Sequence, residues 1–428
     1  MIKRFKSIDG FFNHKLRFEN LDKISWFKKK KISIFGSGNS ISNLPFEEKS
    51  ILLKDNSETT FKINKKKLEF IASGNIEIYK IHNELIKNSF YVPSFPSYPT
   101  VSLGACVANS VHGLHPQSGC LSSYIKQIKI YNPNFGFKIL TKKKNQDLFN
   151  LTIGGMGLTG IILEVTIKIL RLKSTFFKIK THKFNSLLEG YLYLKKSKFL
   201  YNQNNFFLEH SDKKFGQGII SSGNFFGKEK IYKNIQKKNI SHIRLGILKY
   251  SIFRIILKNI LVFIKTNFDN KIKHINEIFY PSNQKLFYFN LLSPKFIEHQ
   301  VIIPKKNIKF YLDDLKKITI KFKPSITLCH LKIFSGTSHH LQFNDKGLGL
   351  TIHLLINKRF NLFYKQLQEI DLKYKCKINL YKNSTINMKL VKKNYPKIYK
   401  IFNNKIKKIN KKIYFTNNIF SEKFYNDK

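Results

Sequence analysis

The stretch LTIGGMGLTGIILEVTIKI, Leu151 to Ile169, places Gly154, Gly155, Gly157 and Gly160 within seven residues and then runs straight into a strand. Leu163, Val165, Ile167 and Ile169 alternate with Glu164, Thr166 and Lys168, the period of a half-buried β-strand. The glycines are the harder half. They are costly in a chain otherwise rich in Lys, Asn, Ile and Phe, so something must approach the backbone closely there.

Two further loops upstream share this character. GSGNS follows the strand expected at Lys31–Phe35 and supplies Gly36, Ser37, Gly38, Asn39 and Ser40. Tyr91–Gly119, YVPSFPSYPTVSLGACVANSVHGLHPQSG, carries the small residues Ser97, Ser102, Gly104, Ala105, Ala108, Ser110 and Gly113. Loops of this kind let backbone N–H groups reach a polyanion or a flat ring with no side chain between. The first loop is not a dinucleotide-binding G-x-G-x-x-G turn, because position 41 is Ile41. Ordinary tight turns are the competing reading of each loop taken singly.

The surrounding pattern is mixed α and β. Strands are expected in SILLKD and LEFIASGN, a helix over Ile76–Asn88 with Ile78, Ile81 and Leu85 on one face, and a hairpin from Ile125–Pro133 into Phe137–Leu140. Strands are expected near Ile297–Pro304, Ser325–Phe334 and Leu348–Ile356, and helices over Ile308–Phe322, Phe360–Tyr374 and Lys389–Lys411. Leu245–Phe268 reads as a helix with Arg254, Lys258 and Lys265 on one face and Ile, Leu and Phe around the rest. That pattern suits a helix lying in a membrane interface, or a core or lid helix with a solvated Lys stripe.

At 428 residues the chain is long for a single core, so more than one domain is expected. Hydrophobic content of 42% and aromatic content of 14% are globular values. The formal charge of +51 comes from 77 Lys and Arg against 26 Asp and Glu. It fits either a drift toward residues with A/T-rich codons or an anionic partner. No nucleic-acid module is recognisable, and the aromatics do not interleave with a compact basic patch. Cys106, Cys120, Cys329 and Cys376 form no C-x-x-C, so neither a disulfide framework nor a zinc site is expected and a reducing compartment fits. His112 and His115, H-x-x-H without a nearby acidic or thiol ligand, make a poor metal site, and none is expected. The N-terminus has no signal-like apolar core, and no run of roughly 18 apolar residues spans a membrane.

The order GSGNS, then VPSFPSYPTVSLGACVANSVHG, then GGMGLTGI resembles the flavin domain of the vanillyl-alcohol-oxidase-type (PCMH-type) FAD-binding oxidoreductases. Within them the chain is most similar to the oxidase subunits of the decaprenylphosphoryl-β-D-ribose 2′-epimerases. QVIIP (Gln300–Pro304), LKIFSG (Leu331–Gly336) and LYKNS (Leu380–Ser384) extend the likeness over nearly the whole chain, though it is dense only in residues 31–170.

The resemblance implies an α+β protein in three parts: a two-subdomain PCMH-type FAD-binding domain over 1–175, a central antiparallel-sheet substrate (cap) domain over 176–375, and a segment over 376–428 that returns to the flavin site. It implies non-covalent FAD, since the first loop offers Asn39 and no histidine. Gly36, Ser37, Gly38, Asn39 and Ser40, with Ser97, Val101, Ser102 and Gly104, would line the pyrophosphate. His112, Gly113, Ser118 and Gly119 would sit near the flavin, and Gly157 and Ile161 against the adenosine side. Lys382 matches the family's active-site lysine, His112 is its companion in the pocket, and Gln300 and Lys332 match substrate contacts; on sequence alone each would pass as an ordinary polar residue.

The implied reaction oxidises a secondary alcohol on a lipid-linked sugar, a polyprenyl-phosphoryl pentose, to a keto-sugar that a partner short-chain reductase would take. A cytoplasmic enzyme in peripheral contact with the membrane fits that substrate, and nucleic acid is not an expected partner. Three alternatives stay open: a soluble aldonolactone or alditol oxidase of the same superfamily, a basic nucleic-acid-binding protein, and a catalytically silent flavoprotein. The chain departs from the family at Asn379, in place of a tyrosine, at Gly349 and Thr351, and at Ser97 and Leu103 in the second loop.

Overall fold

The 151–169 stretch opens as expected: the helix Gln146–Thr152 ends at the glycines, and Ile161–Lys168 is a strand. That strand is the centre of a five-stranded antiparallel sheet ordered Phe61–Asn64, Glu69–Ser73, Ile161–Lys168, Ile125–Asn132, Gly136–Thr141. The description comes from a computed structural model covering residues 1–23, 31–114, 119–236, 246–267, 271–283, 295–411 and 414–420.

A second five-stranded sheet is mixed. Ile2–Lys6 pairs antiparallel with Asn13–Asn20, and Ile51–Lys54, Lys31–Ile34 and Tyr414–Phe415 continue it in parallel. The third sheet has eight antiparallel strands: Lys271–His274, Phe176–Phe184, Phe215–Phe225, Tyr201–Leu208, Ile326–Ser335, Lys346–Leu355, Phe296–Pro304 and Lys377–Ile378. Phe90–Tyr91 and Leu170–Arg171 form a small fourth pair. The architecture is therefore α+β.

Helices Ile308–Phe322 and Phe360–Lys373 cover one face of the eight-stranded sheet. Each buries one stripe: Tyr311, Leu312 and Leu315 on the first, Phe363, Leu367 and Ile370 on the second. Their cover is why Phe296–Pro304 and Lys346–Leu355 are buried on both faces. Period-2 alternation then divides Phe296–Pro304 cleanly. Ile297, His299 and Val301 face the helices, where the His299 ring packs edge-on to Tyr364. Glu298 and Gln300 face the other way, into a cavity.

Three sequence expectations change. The helix expected over Lys389–Lys411 is two, Met388–Asn394 and Pro396–Ile409. Pro396 lacks the N–H that would continue the first helix and biases Tyr395 away from helical backbone. The strands of 176–225 and the N-terminal hairpin have no individual signal in the sequence. The helix expected over 245–268 spans Ser251–Thr266 after a short turn at Ile247–Lys249; Leu245 and Phe268 lie outside the described residues. Arg254 and Lys258 do share a face and are part-buried against the protein, while the Lys265 side chain lies outside the described residues. Arg254 donates to the Leu248 and Lys249 carbonyls at 2.9 Å, and Lys258 pairs with Glu209. Among the described residues no helix is long and apolar enough to cross a membrane.

Neighbouring residues on one helix test this packing. Phe363→Ala is expected to cost about 4 kcal/mol in urea-unfolding free energy, because Phe363 is fully buried. Leu362→Ala, at a side chain 63% exposed, is expected to stay within about 0.5 kcal/mol.

Candidate active site

One cavity of about 1150 Å³ runs between the glycine-rich loops and the uncovered face of the eight-stranded sheet. Gly36, Ser37, Gly38, Asn39 and Ser40 line it, as do Ser97, Val101, Ser102, Gly104, His112, Gly113, Gly157 and Ile161. Gln300, Lys332 and Lys382 line it from the sheet and the C-terminal segment. Every site residue expected from the sequence therefore meets in one place, with two exceptions. Gly119 is off the cavity wall, and Ser118, like His115, lies outside the described residues.

The glycines hold the loops against each other. A Cβ on Gly36 would stand 2.7 Å from the Ser102 hydroxyl, and one on Gly113 would stand 2.5 Å from the Pro93 carbonyl oxygen. Asn39 Nδ2 donates to the Thr100 carbonyl at 3.0 Å and to its hydroxyl at 2.9 Å, tying the first loop to the second. Of the four glycines in the 151–169 stretch, only Gly157 and Gly160 face the cavity. Gly154 and Gly155 serve packing instead: their Cβ positions lie 2.8 Å from Gln342 and 2.2 Å from the Leu151 carbonyl oxygen. Two of the four thus line the cavity and two are required by close packing.

Cross-strand register builds the opposite wall. Gln300 sits beside Thr351, which sits beside His330; Glu298 sits beside His353. Asn379 Nδ2 donates to Gln300 Oε1 at 2.6 Å, which orients the amide so that its Nε2 donates to Thr351 at 2.8 Å and reaches His112 Nε2 at 3.1 Å. On the other side of that ring, His112 Nδ1 lies 2.9 Å from Lys332 Nζ. Phe334 packs edge-on to the imidazole at 5.3 Å. A Cβ on Gly349 would fall 2.4 Å from the Phe334 ring, so the departure at Gly349 accommodates this phenylalanine.

Charge is unusually concentrated here. Burial, reinforced by the Lys382 charge, brings the Lys332 ammonium down to about 7. Burial and then both lysines hold His112 well below its usual range, so its ring is neutral. Lys382 meets Glu298 Oε1 at 2.9 Å, and His353 Nε2 lies 3.5 Å from Glu298 Oε2. Burial alone would raise the Glu298 carboxyl, but Lys382 and the histidines overcome it and hold the group below its ordinary range. Burial takes His353 down to about 4, so its contact with Glu298 is that of a neutral ring rather than an ion pair.

The loop bearing Lys382 is clamped from residues far away in the chain. Ser384 donates to Asp9 at 2.5 Å, Ser42 donates to the Tyr381 carbonyl at 2.9 Å, and the Asn43 N–H donates to Ser384 at 2.8 Å. Glu298, His330 and His353 were not found from the sequence. The one available signal was that Glu298 precedes Gln300 by two positions in a strand, which puts both on one face.

No family model matches the chain. It is 21% identical to the decaprenylphosphoryl-beta-D-ribose oxidase of Mycolicibacterium smegmatis, across 76% of this chain and 75% of that protein. It is 23% identical to a putative D-arabinono-1,4-lactone oxidase of Neurospora crassa over 33% of its own length, and 22% identical to a mitochondrial L-galactono-1,4-lactone dehydrogenase of Arabidopsis thaliana over 35%. These two matches span 25% of each relative.

Lys332 makes stability depend on pH. Its folded-state value, about 7, lies below that of an unfolded lysine, so between those values the unfolded chain binds the extra proton and folding strengthens as pH rises. Below pH 7 the full penalty of the buried charge remains. The wild type should gain on Lys332→Met by up to about 1.4 kcal/mol per pH unit above 7, read from urea midpoints; parallel profiles would show that Lys332 is not buried as a cation.

Proposed function

We propose that this chain is an FAD-dependent oxidoreductase that oxidises a secondary alcohol of a sugar to a ketone. The observation that carries the reading is the single cavity, glycine-rich and backbone-lined at one end, cationic and amide-lined at the other. Its volume exceeds that of ordinary small-ligand sites, as a dinucleotide cofactor with a substrate requires. The closely packed glycine loops present backbone to an anionic group, and the residues present fit FAD.

In this reading residues 1–175 form the two-subdomain PCMH-type flavin domain, 376–428 complete it, and 176–375 cover the substrate. The first and second glycine loops hold the pyrophosphate, with Gly157 and Ile161 against the adenosine. His112 and Gly113, both on the cavity wall, border the ring system. Asn39 supports non-covalent attachment, since the first loop has no imidazole for a histidyl link there.

When bound, FAD supplies the hydride acceptor. The chain does the rest. Lys382, held by Glu298, would place a fixed positive charge beside a bound flavin and favour its taking up electrons. Gln300, locked by Asn379 and Thr351, orients the substrate hydroxyl. Lys332, neutral above pH 7, accepts the hydroxyl proton, and the neutral His112 ring, fixed by Gln300 on its other nitrogen, holds that amine in place. The substrate is a polyprenyl-phosphoryl pentose, in keeping with the relative matched over three quarters of its length. Its keto product passes to a partner short-chain reductase, and the enzyme works in peripheral contact with the cytoplasmic face of a membrane. The lactone oxidases among the relatives support a second reading, in which a free sugar lactone is the reductant.

The visible absorption spectrum of the purified protein tests this directly. Flavin bands that leave with the supernatant after acid precipitation are expected. Gly36→Val should abolish them, because the larger side chain has no space beside Ser102. Lys382→Ala should keep the bands and lose about 100-fold or more in turnover. Full turnover in that variant removes the role given to Lys382, and a chain that binds no added FAD overturns the reading.

A further inference from the structure

The helix Ser251–Thr266 is inside out by the standards of a soluble protein. At 100° per residue, Ile252, Phe253, Ile256, Ile260, Phe263 and Ile264 share a stripe about 120° wide. All six are between 41% and 65% exposed. The cations lie on the opposite side: Arg254 caps the turn at Ile247–Lys249, and Lys258 is sandwiched between Glu209 and the Phe207 ring. Arg254 and Lys258 thus pack against the protein, with part-buried Leu257 and Leu261, while these six aliphatic and aromatic side chains point away from it and exposed Asn259 borders the stripe. Contiguous exposed apolar surface of this kind marks an interaction site.

From this arrangement we infer that the outer face of the 251–266 helix seats in the interfacial layer of an anionic lipid bilayer, with the cavity mouth opening at the lipid surface. Three observations select lipid as the occupant. First, the stripe is built of Ile and Phe and offers no directional hydrogen-bonding group, which suits a fluid apolar medium. Second, its borders are basic. Lys249 lies 4.7 Å from the Tyr250 ring at the start of the helix, and exposed Lys271 and Lys273 flank Ile272, itself 53% exposed. Basic residues beside an apolar stripe match anionic head groups, each adding electrostatic attraction. A second copy of this chain would bring the same charge of +51 to the face and be repelled. Third, Ile260, Ile264 and Lys273 are exposed and also line the cavity, so its rim is where helix and strand meet. A lipid-linked substrate would pass from bilayer to cavity without crossing water.

The inference deepens the lipid-linked part of the proposed function and is independent of flavin. Its test is co-sedimentation of the full chain with vesicles of phosphatidylglycerol and phosphatidylcholine. Binding that weakens with added salt is expected, as is its loss on vesicles of phosphatidylcholine alone. The double variant Ile256→Glu, Phe263→Glu touches only exposed positions off the cavity wall, so it should fold, keep its flavin content and bind vesicles about tenfold or more weakly. A Phe263→Trp variant should gain a blue-shifted emission, quenched by brominated lipid, over the signal of the parent. A parent that stays in the supernatant, a double variant that sediments like the parent, or a dimer that the double variant splits each overturns the inference. Vesicle binding by a preparation unable to take up FAD would instead overturn the oxidoreductase reading alone.

Discussion

Everything at the candidate site depends on the register of three neighbouring strands, Phe296–Pro304, Lys346–Leu355 and Ile326–Ser335. Side chains alternate faces along a strand, so a slip of one residue would turn Glu298 and Gln300 toward the helices and bring Ile297, His299 and Val301 to the cavity. The helix layer prevents that. It offers the odd-numbered residues a mostly apolar surface in which Asp371 meets His299 at 3.0 Å, and burying the Glu298 carboxylate there without Lys382 would be prohibitive. Hydrophobic packing on one face thereby fixes the chemistry of the other.

The second requirement is electrostatic. Two lysines and three histidines converge on a confined space, and the compensation is uneven. Lys382 has Glu298; Lys332 has the neutral His112 ring. Lys382 is thus matched by a carboxylate, while burial holds Lys332 near neutrality at physiological pH. Asn379, a departure from the family pattern, completes this arrangement from the amide side through Gln300.

Much of this was readable from the sequence, for identifiable reasons. Strands such as Ile161–Lys168 show through because one face is polar and the period is plain. The glycine loops were legible because their composition is so unlike the Lys- and Asn-rich background. Tyr201–Leu208 was not, since YNQNNFFL reads as a polar loop; Asn202 and Asn204 are buried because they line a cavity, which composition does not reveal. Glu298 was hidden in the same way: its significance lies in a lysine 84 positions downstream. The 251–266 helix was found, but periodicity gives the direction of an apolar stripe and not which side the protein occupies.

The parallel strand Tyr414–Phe415 has a temporal consequence. It closes the edge of the sheet at Lys31–Ile34, where Ser33 donates to the Thr416 carbonyl across 383 positions, and Thr416 and Asn417 then form part of the cavity wall. On the ribosome, the first glycine loop therefore emerges long before the strand that finishes its surroundings. Until then the Lys31–Ile34 edge has unpaired backbone groups, the kind of edge that recruits foreign strands. Closure over so large a separation is also slow by nature. Completion of the pocket and protection of that edge are consequently a single late event in the biogenesis of this chain.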